Sequence, residues 1–101
     1  MEIKNATITS VSLGKEDHGI PTCFVQLDYG DCGVQSFGGW DLRYYGIDFI
    51  VQLLDTIGVR EWNDLVGKNV RAKCEHIKVH AIGHIIKNQW FEPEIDLQKK
   101  E

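Results

Sequence analysis

The chain has 101 residues, 43% apolar and 26% charged, with a formal charge of −4. That supports one modest core and excludes a second, so a single domain over 1–97 with a frayed tail at 98–101 is expected. No apolar run approaches the roughly 18 residues of a membrane span, the opening Met-Glu-Ile-Lys-Asn is not a secretory signal, and net acidity disfavours a sequence-indifferent nucleic-acid binder; the expected setting is cytoplasmic.

Ile3 to Leu13 reads as a strand whose apolar parity changes between Ala6/Ile8 and Val11/Leu13, which predicts a bulge near Thr9 and Ser10. Gly14 to Gly19 is a charged, exposed loop. Pro21 opens a second strand in which Cys23, Val25, Leu27 and Tyr29 alternate with Phe24, Gln26 and Asp28. Gly30-Asp31-Cys32-Gly33 has hairpin-turn chemistry and returns the chain antiparallel through Val34 to Phe37. Gly38-Gly39 then marks a turn, a bulge or a close backbone approach, and Trp40 to Tyr45 is an aromatic connection.

Ile47, Ile50, Val51, Leu54 and Ile57 form one helical stripe, widened by Phe49 and Leu53, with Asp48 in the first turn and Gly58 as the cap. Glu61 to Val66 reads as one extra helical turn. Val70, Ala72 and Cys74 alternate as a fourth strand, and Ile77 to Ile86 forms a fifth with a second bulge around Gly83. Trp90, Phe91 and Pro93 fold back on the sheet. The expected class is α+β, a small five-stranded antiparallel barrel or sheet in the βββαββ order of the OB-fold with one main helix; an open sheet carrying the helix on one face fits the same pattern.

Catalytic fingerprints are missing. His76, His80 and His84 share strand parity, but residues four apart on a strand lie about 13 Å from each other, too far for one zinc ion. Cys23, Cys32 and Cys74 have no C-x-x-C spacing and read as reduced thiols. Cys32 has no sequence-visible base, Ser36 lacks the G-x-S-x-G elbow, and the glycine spacings match no phosphate-binding loop. Neither enzyme activity, a metal nor a cofactor is expected.

Two binding readings remain. On an OB-like barrel Trp40 and its neighbours would stack single-stranded bases, with Lys68, Arg71, Lys73, Lys78 and Lys87 supplying charge. Alternatively Trp40, Tyr44 and Tyr45 form a protein-binding hot spot, or the aromatics simply fill the core and its lid.

Taken as a set, Glu16-Asp17-His18-Gly19-Ile20, Leu27-Asp28-Tyr29-Gly30, Phe37-Gly38-Gly39-Trp40-Asp41-Leu42, Ala81-Ile82-Gly83-His84-Ile85-Ile86-Lys87 and Trp90-Phe91-Glu92-Pro93 resemble small proteins encoded in phages and prophages. The resemblance spans nearly the whole chain; Ser36 stands where many members carry glycine. It implies a phage setting in the host cytoplasm more than a mechanism; because small phage proteins are often non-enzymatic inhibitors of host systems, anti-CRISPR proteins among them, the expected role is an accessory protein that binds a protein partner stoichiometrically and blocks a host defence effector, such as one that itself binds nucleic acid. The expected contact surface is Glu16, Asp17, Gly38, Gly39, Trp40, Tyr44 and Tyr45, with self-association left open.

Overall fold

A computed structural model describes Met1–Leu97; the tail expected at 98–101 lies outside the described residues. The chain forms β1 (Glu2–Lys15), β2 (Pro21–Asp28), β3 (Val34–Gly38), α1 (Leu42–Tyr45), α2 (Asp48–Ile57), β4 (Asn69–Glu75), β5 (Lys78–His84), β6 (Trp90–Phe91) and α3 (Pro93–Asp96), with 3-10 turns at Gly30–Cys32 and Trp62–Leu65. The strands make one antiparallel sheet in the order β3-β2-β1-β4-β5-β6. This is an α+β domain with six strands, not five.

Strand β1 organises the sheet because it is long enough to serve two neighbours. Its first half, Glu2 to Thr7, pairs β4, and its second, Thr7 to Lys15, pairs β2. The register slips between Ile8 and Ser10, which makes Thr9 the extra residue and places the bulge where the parity change predicts it. The Ile8 N–H and C=O there turn to the Lys68 carbonyl and the Gly67 N–H, at 2.9 and 2.7 Å.

The β2 alternation holds, with Cys23, Val25 and Leu27 buried, and β2 returns to β3 through a turn closed by Tyr29 N–H to the Gly33 carbonyl at 2.8 Å. On β4 the inward set is Val70, Ala72 and Cys74. The second bulge falls elsewhere than Gly83. Lys73 faces Ala81 while Cys74 faces Val79, so the extra residue is His80. Gly83 instead leaves room for Trp90, whose ring would stand 2.6 Å from an added Cβ.

The expected barrel does not close. Strand β3 ends the sheet, and no backbone hydrogen bond joins it to β5 among the described residues. One side chain bridges the seam: the Gln35 amide donates to the carbonyls of Glu75 and His76 at 2.9 and 3.2 Å. The sixth strand, β6, takes the edge of β5 at Ile82 and Gly83. It is only two residues long, which explains why the sequence showed it as a fold-back and not a strand.

Three phenylalanines, Phe37, Phe49 and Phe91, meet beneath the sheet with centroids 5.3 to 6.2 Å apart. Burying each contributes roughly 2–3 kcal/mol, and the edge-to-face contacts add to that. This cluster orients α2. Its buried residues are Phe49, Leu53 and Ile57, whereas Ile47 is 63% and Val51 44% exposed. The expected stripe is therefore corrected at one edge: Ile57 and the widening pair Phe49 and Leu53 are buried and Ile50 and Leu54 pack partly against the core, whereas Ile47 and Val51 stay outside. Gly58, left-handed at φ 89°, ends the helix, and the N–H groups of Gly58 and Val59 both reach the Leu54 carbonyl, at 2.8 and 3.1 Å.

Candidate interaction surface

The Gly-Gly pair proves to be architectural. Gly38 sits at φ 135°, and an added Cβ would lie 2.2 Å from the Cys23 carbonyl oxygen and 2.9 Å from the Phe24 Cα. Gly39, at φ 84°, donates its N–H to the same Cys23 oxygen at 2.9 Å. The chain leaves β3 pressed against the β2 backbone, which only glycine permits. This close approach commits Gly38 to the fold, while Gly39 remains exposed.

Trp40 follows directly and is half-buried, packed edge-on to Tyr45 at 5.0 Å. Both rings back onto the core. Tyr44 points the other way: it is 62% exposed, with the Arg43 guanidinium 5.7 Å from its ring centre. The intervening helix α1 was read from sequence as a plain connection. Asp41 caps it by accepting the Arg43 N–H at 2.9 Å and pairs with the Arg43 side chain at 2.7 Å, so a four-residue helix is secured by one carboxylate. The Arg43 contact also holds the Asp41 carboxyl below its ordinary range.

The loop carrying Glu16 and Asp17 is held from within. The Glu16 carboxylate accepts the N–H of Ile20 at 3.1 Å and of His18 at 2.5 Å, and its second oxygen faces His18 Nδ1 at 3.1 Å. These bonds, led by that from Ile20, lower its pKa, with a smaller contribution from the charge of Arg43. Glu16 is thus a loop-former, while Asp17 is exposed.

The sequence reading missed Ile47 and Val51, the exposed apolar residues on the outer edge of α2. The signal was present. At 100° per residue, Asp48, Gln52, Asp55 and Thr56 fan over one side of α2, and the buried trio is centred about 60° away from the direction opposite them. Ile47, Val51 and half-buried Leu54 occupy the apolar sector left over.

The cations considered for nucleic acid divide. Lys78 pairs with Glu94, and Lys68 and Lys87 are exposed. Arg71 and Lys73 lie 4.8 and 4.4 Å from the ring centre of Trp90, not Trp40, and Arg71 also donates to the carbonyls of His84 and Lys87, both at 2.8 Å. Trp40 instead borders a groove of about 360 Å³ at the β3–β5 seam, shared with Phe37, Val79 and Pro93.

The histidines serve local structure. His80 Nε2 pairs with Glu75 at 3.0 Å, and His84 Nδ1 accepts the N–H groups of Ile86 and Lys87 at 3.0 Å each, which leaves the ring proton on Nε2. His76 lies exposed in the β4–β5 turn. Among the described residues no three His, Cys, Asp or Glu side chains gather as metal ligands do. Cys23 and Cys74 are buried and Cys32 exposed, all as free thiols, and burial pushes the Cys23 thiol up to about 12. No helix among the described residues is long and apolar enough to cross a membrane.

No protein-family model, curated protein or solved structure matches the chain.

Proposed function

We propose that this protein is a non-enzymatic phage accessory protein that binds a host protein stoichiometrically, with a nucleic-acid-binding defence effector as the partner. The single observation that carries this reading is the unspent apolar edge of α2. Ile47 and Val51, at 63% and 44% exposure, lie one helical turn apart on the same side of α2, and a paired apolar edge of this kind is suited to burial against a partner. The segment that carries this edge is acidic. From Asp41 to Asp64 the chain carries five carboxylates, Asp41, Asp48, Asp55, Glu61 and Asp64, against the two cations Arg43 and Arg60. A partner with a basic groove would gain association rate from that charge and affinity from the apolar edge.

The finer view of the fold, an OB-type barrel opened at one seam, rests on the order of three strands, helix and two strands and on the Gln35 bridge between β3 and the β4–β5 turn. It leaves the proposal of a binding module unchanged.

The test is phage plating on cells that carry an active nucleic-acid-targeting defence and express this chain. The expected result is restored plating with the natural sequence and its loss with Tyr44→Asp/Val51→Asp, a variant whose circular dichroism melt stays cooperative. Equal plating by the two chains, or restoration by neither across the major classes of such defences, refutes the proposal.

A further inference from the structure

The net charge of −4 conceals a segregated distribution. Residues 68–87 carry Lys68, Arg71, Lys73, Lys78 and Lys87 against the one carboxylate Glu75, the reverse of the helical segment. These cations flank or lie on the outer face of β4 and β5. There, Asn5 and Ile3 of β1 stand opposite Arg71 and Lys73 of β4, with Gly83 of β5 and Trp90 of β6 next in line.

Trp90 is placed by design of the sheet. Gly83 has no side chain to stand in its way, so the indole lies across the strand and reaches the two β4 cations. Arg71 is pinned by the carbonyls of His84 and Lys87, whereas Lys73 has a flexible ammonium held by the ring alone among the contacts it makes. A shallow groove of about 390 Å³ opens beside this row, lined by Asn5, Thr7, Asn69, Tyr29 and Asp28.

We infer that this face binds single-stranded nucleic acid. Its chemistry combines what such a ligand presents: phosphates for Arg71, Lys73 and Lys87, an unpaired base face for the part of the Trp90 indole that Lys73 uncovers by swinging onto a phosphate, with the pinned Arg71 staying against the ring, and base edges for the amides of Asn5 and Asn69. A duplex offers the charge without the free base face. The site is separate from the acidic α1–α2 edge, so the two proposals stand or fall independently.

The test is fluorescence anisotropy of a labelled 12-nucleotide single strand titrated with the full chain at about 20 mM salt. Three phosphate contacts predict micromolar binding that weakens with salt at a logarithmic slope of about −2. Lys73→Glu/Lys87→Glu, with Lys73 half-buried over Trp90 and Lys87 exposed, should weaken binding at least tenfold while the circular dichroism melt stays cooperative. Lys15→Glu, ten residues along β1 from Asn5, should change it by less than twofold. No anisotropy change at that salt, equal losses in the two variants, or a duplex of the same sequence binding as tightly as the single strand would each overturn the inference.

Discussion

Gly38 gives the most demanding test of the fold, because the whole corner depends on how β3 leaves β2. In Gly38→Ala the new methyl meets the Cys23 carbonyl oxygen at 2.2 Å and the Phe24 Cα at 2.9 Å, both backbone atoms that cannot rotate away. The φ of 135° adds roughly 1–3 kcal/mol of backbone strain for an L-residue. Relief requires β3 to part from β2 at this end, which sacrifices the Gly39 N–H to Cys23 bond and the Phe24–Gly38 pairing, at about 1 kcal/mol per hydrogen bond. The expected loss is about 3–5 kcal/mol, a large share of the stability of a domain this size. Urea unfolding followed by circular dichroism should show the midpoint falling by roughly 2–4 M at a slope near 1.3 kcal/mol per molar. Gly14→Ala is the control, since nothing lies within 4 Å of its added Cβ; a change within about 0.5 kcal/mol is expected there. If Gly38→Ala costs under 1 kcal/mol with an unchanged slope, the argument that glycine is fixed here by the β2 backbone is wrong.

Four further outcomes follow from the same structure. His84→Ala removes the acceptor of two backbone N–H groups and should cost about 1–2 kcal/mol by urea unfolding, with faster amide exchange at Ile86 and Lys87. Ile47→Lys/Val51→Lys should alter stability by less than about 1 kcal/mol, since both side chains already meet solvent, and a larger loss would contradict the orientation assigned to α2. A thiol reagent should modify one cysteine per folded chain, Cys32, and all three after denaturation. The Glu16 carboxyl is held below its ordinary 4.5, so its share of loop stability is present above that value and lost as pH falls through the depressed folded value. Amide exchange at His18 and Ile20, corrected for its intrinsic pH dependence, should lose protection over that acidic range, and Glu16→Gln should abolish the response.

What the sequence displayed well was whatever a period of two could carry. The inward sets of β2 and β4, and the Thr9 bulge of β1, each follow from side chains that must alternate between core and solvent. The second bulge was misplaced because Ala81, Ile82 and Gly83 are all buried, so parity there has no clear breaking point, and Gly83 drew attention for a role that belongs to Trp90. Barrel closure depends on β3 and β5 meeting edge to edge, a long-range event with no periodic trace. Of the candidate contact residues, Tyr44, Asp17 and Gly39 lie exposed, while Gly38 and Trp40 are half-buried for reasons absent from the local sequence, the distant Cys23 carbonyl and the Tyr45 ring.

The orientation of α2 shows how a core can leave an exposed apolar edge as a by-product. Strongest burial goes to the bulkiest side chains, and Phe49 gains both area and two ring contacts by joining Phe37 and Phe91. Turning α2 about 60° toward that cluster costs the partial exposure of a valine and an isoleucine, a loss of the order of 1–3 kcal/mol that the ring cluster offsets. Selection on stability alone would then favour polar residues at 47 and 51, as it does at Asp48, Gln52 and Asp55 on the same helix. Their retention as apolar groups is what the proposed partner surface would explain, by supplying the burial that the fold of this chain does not.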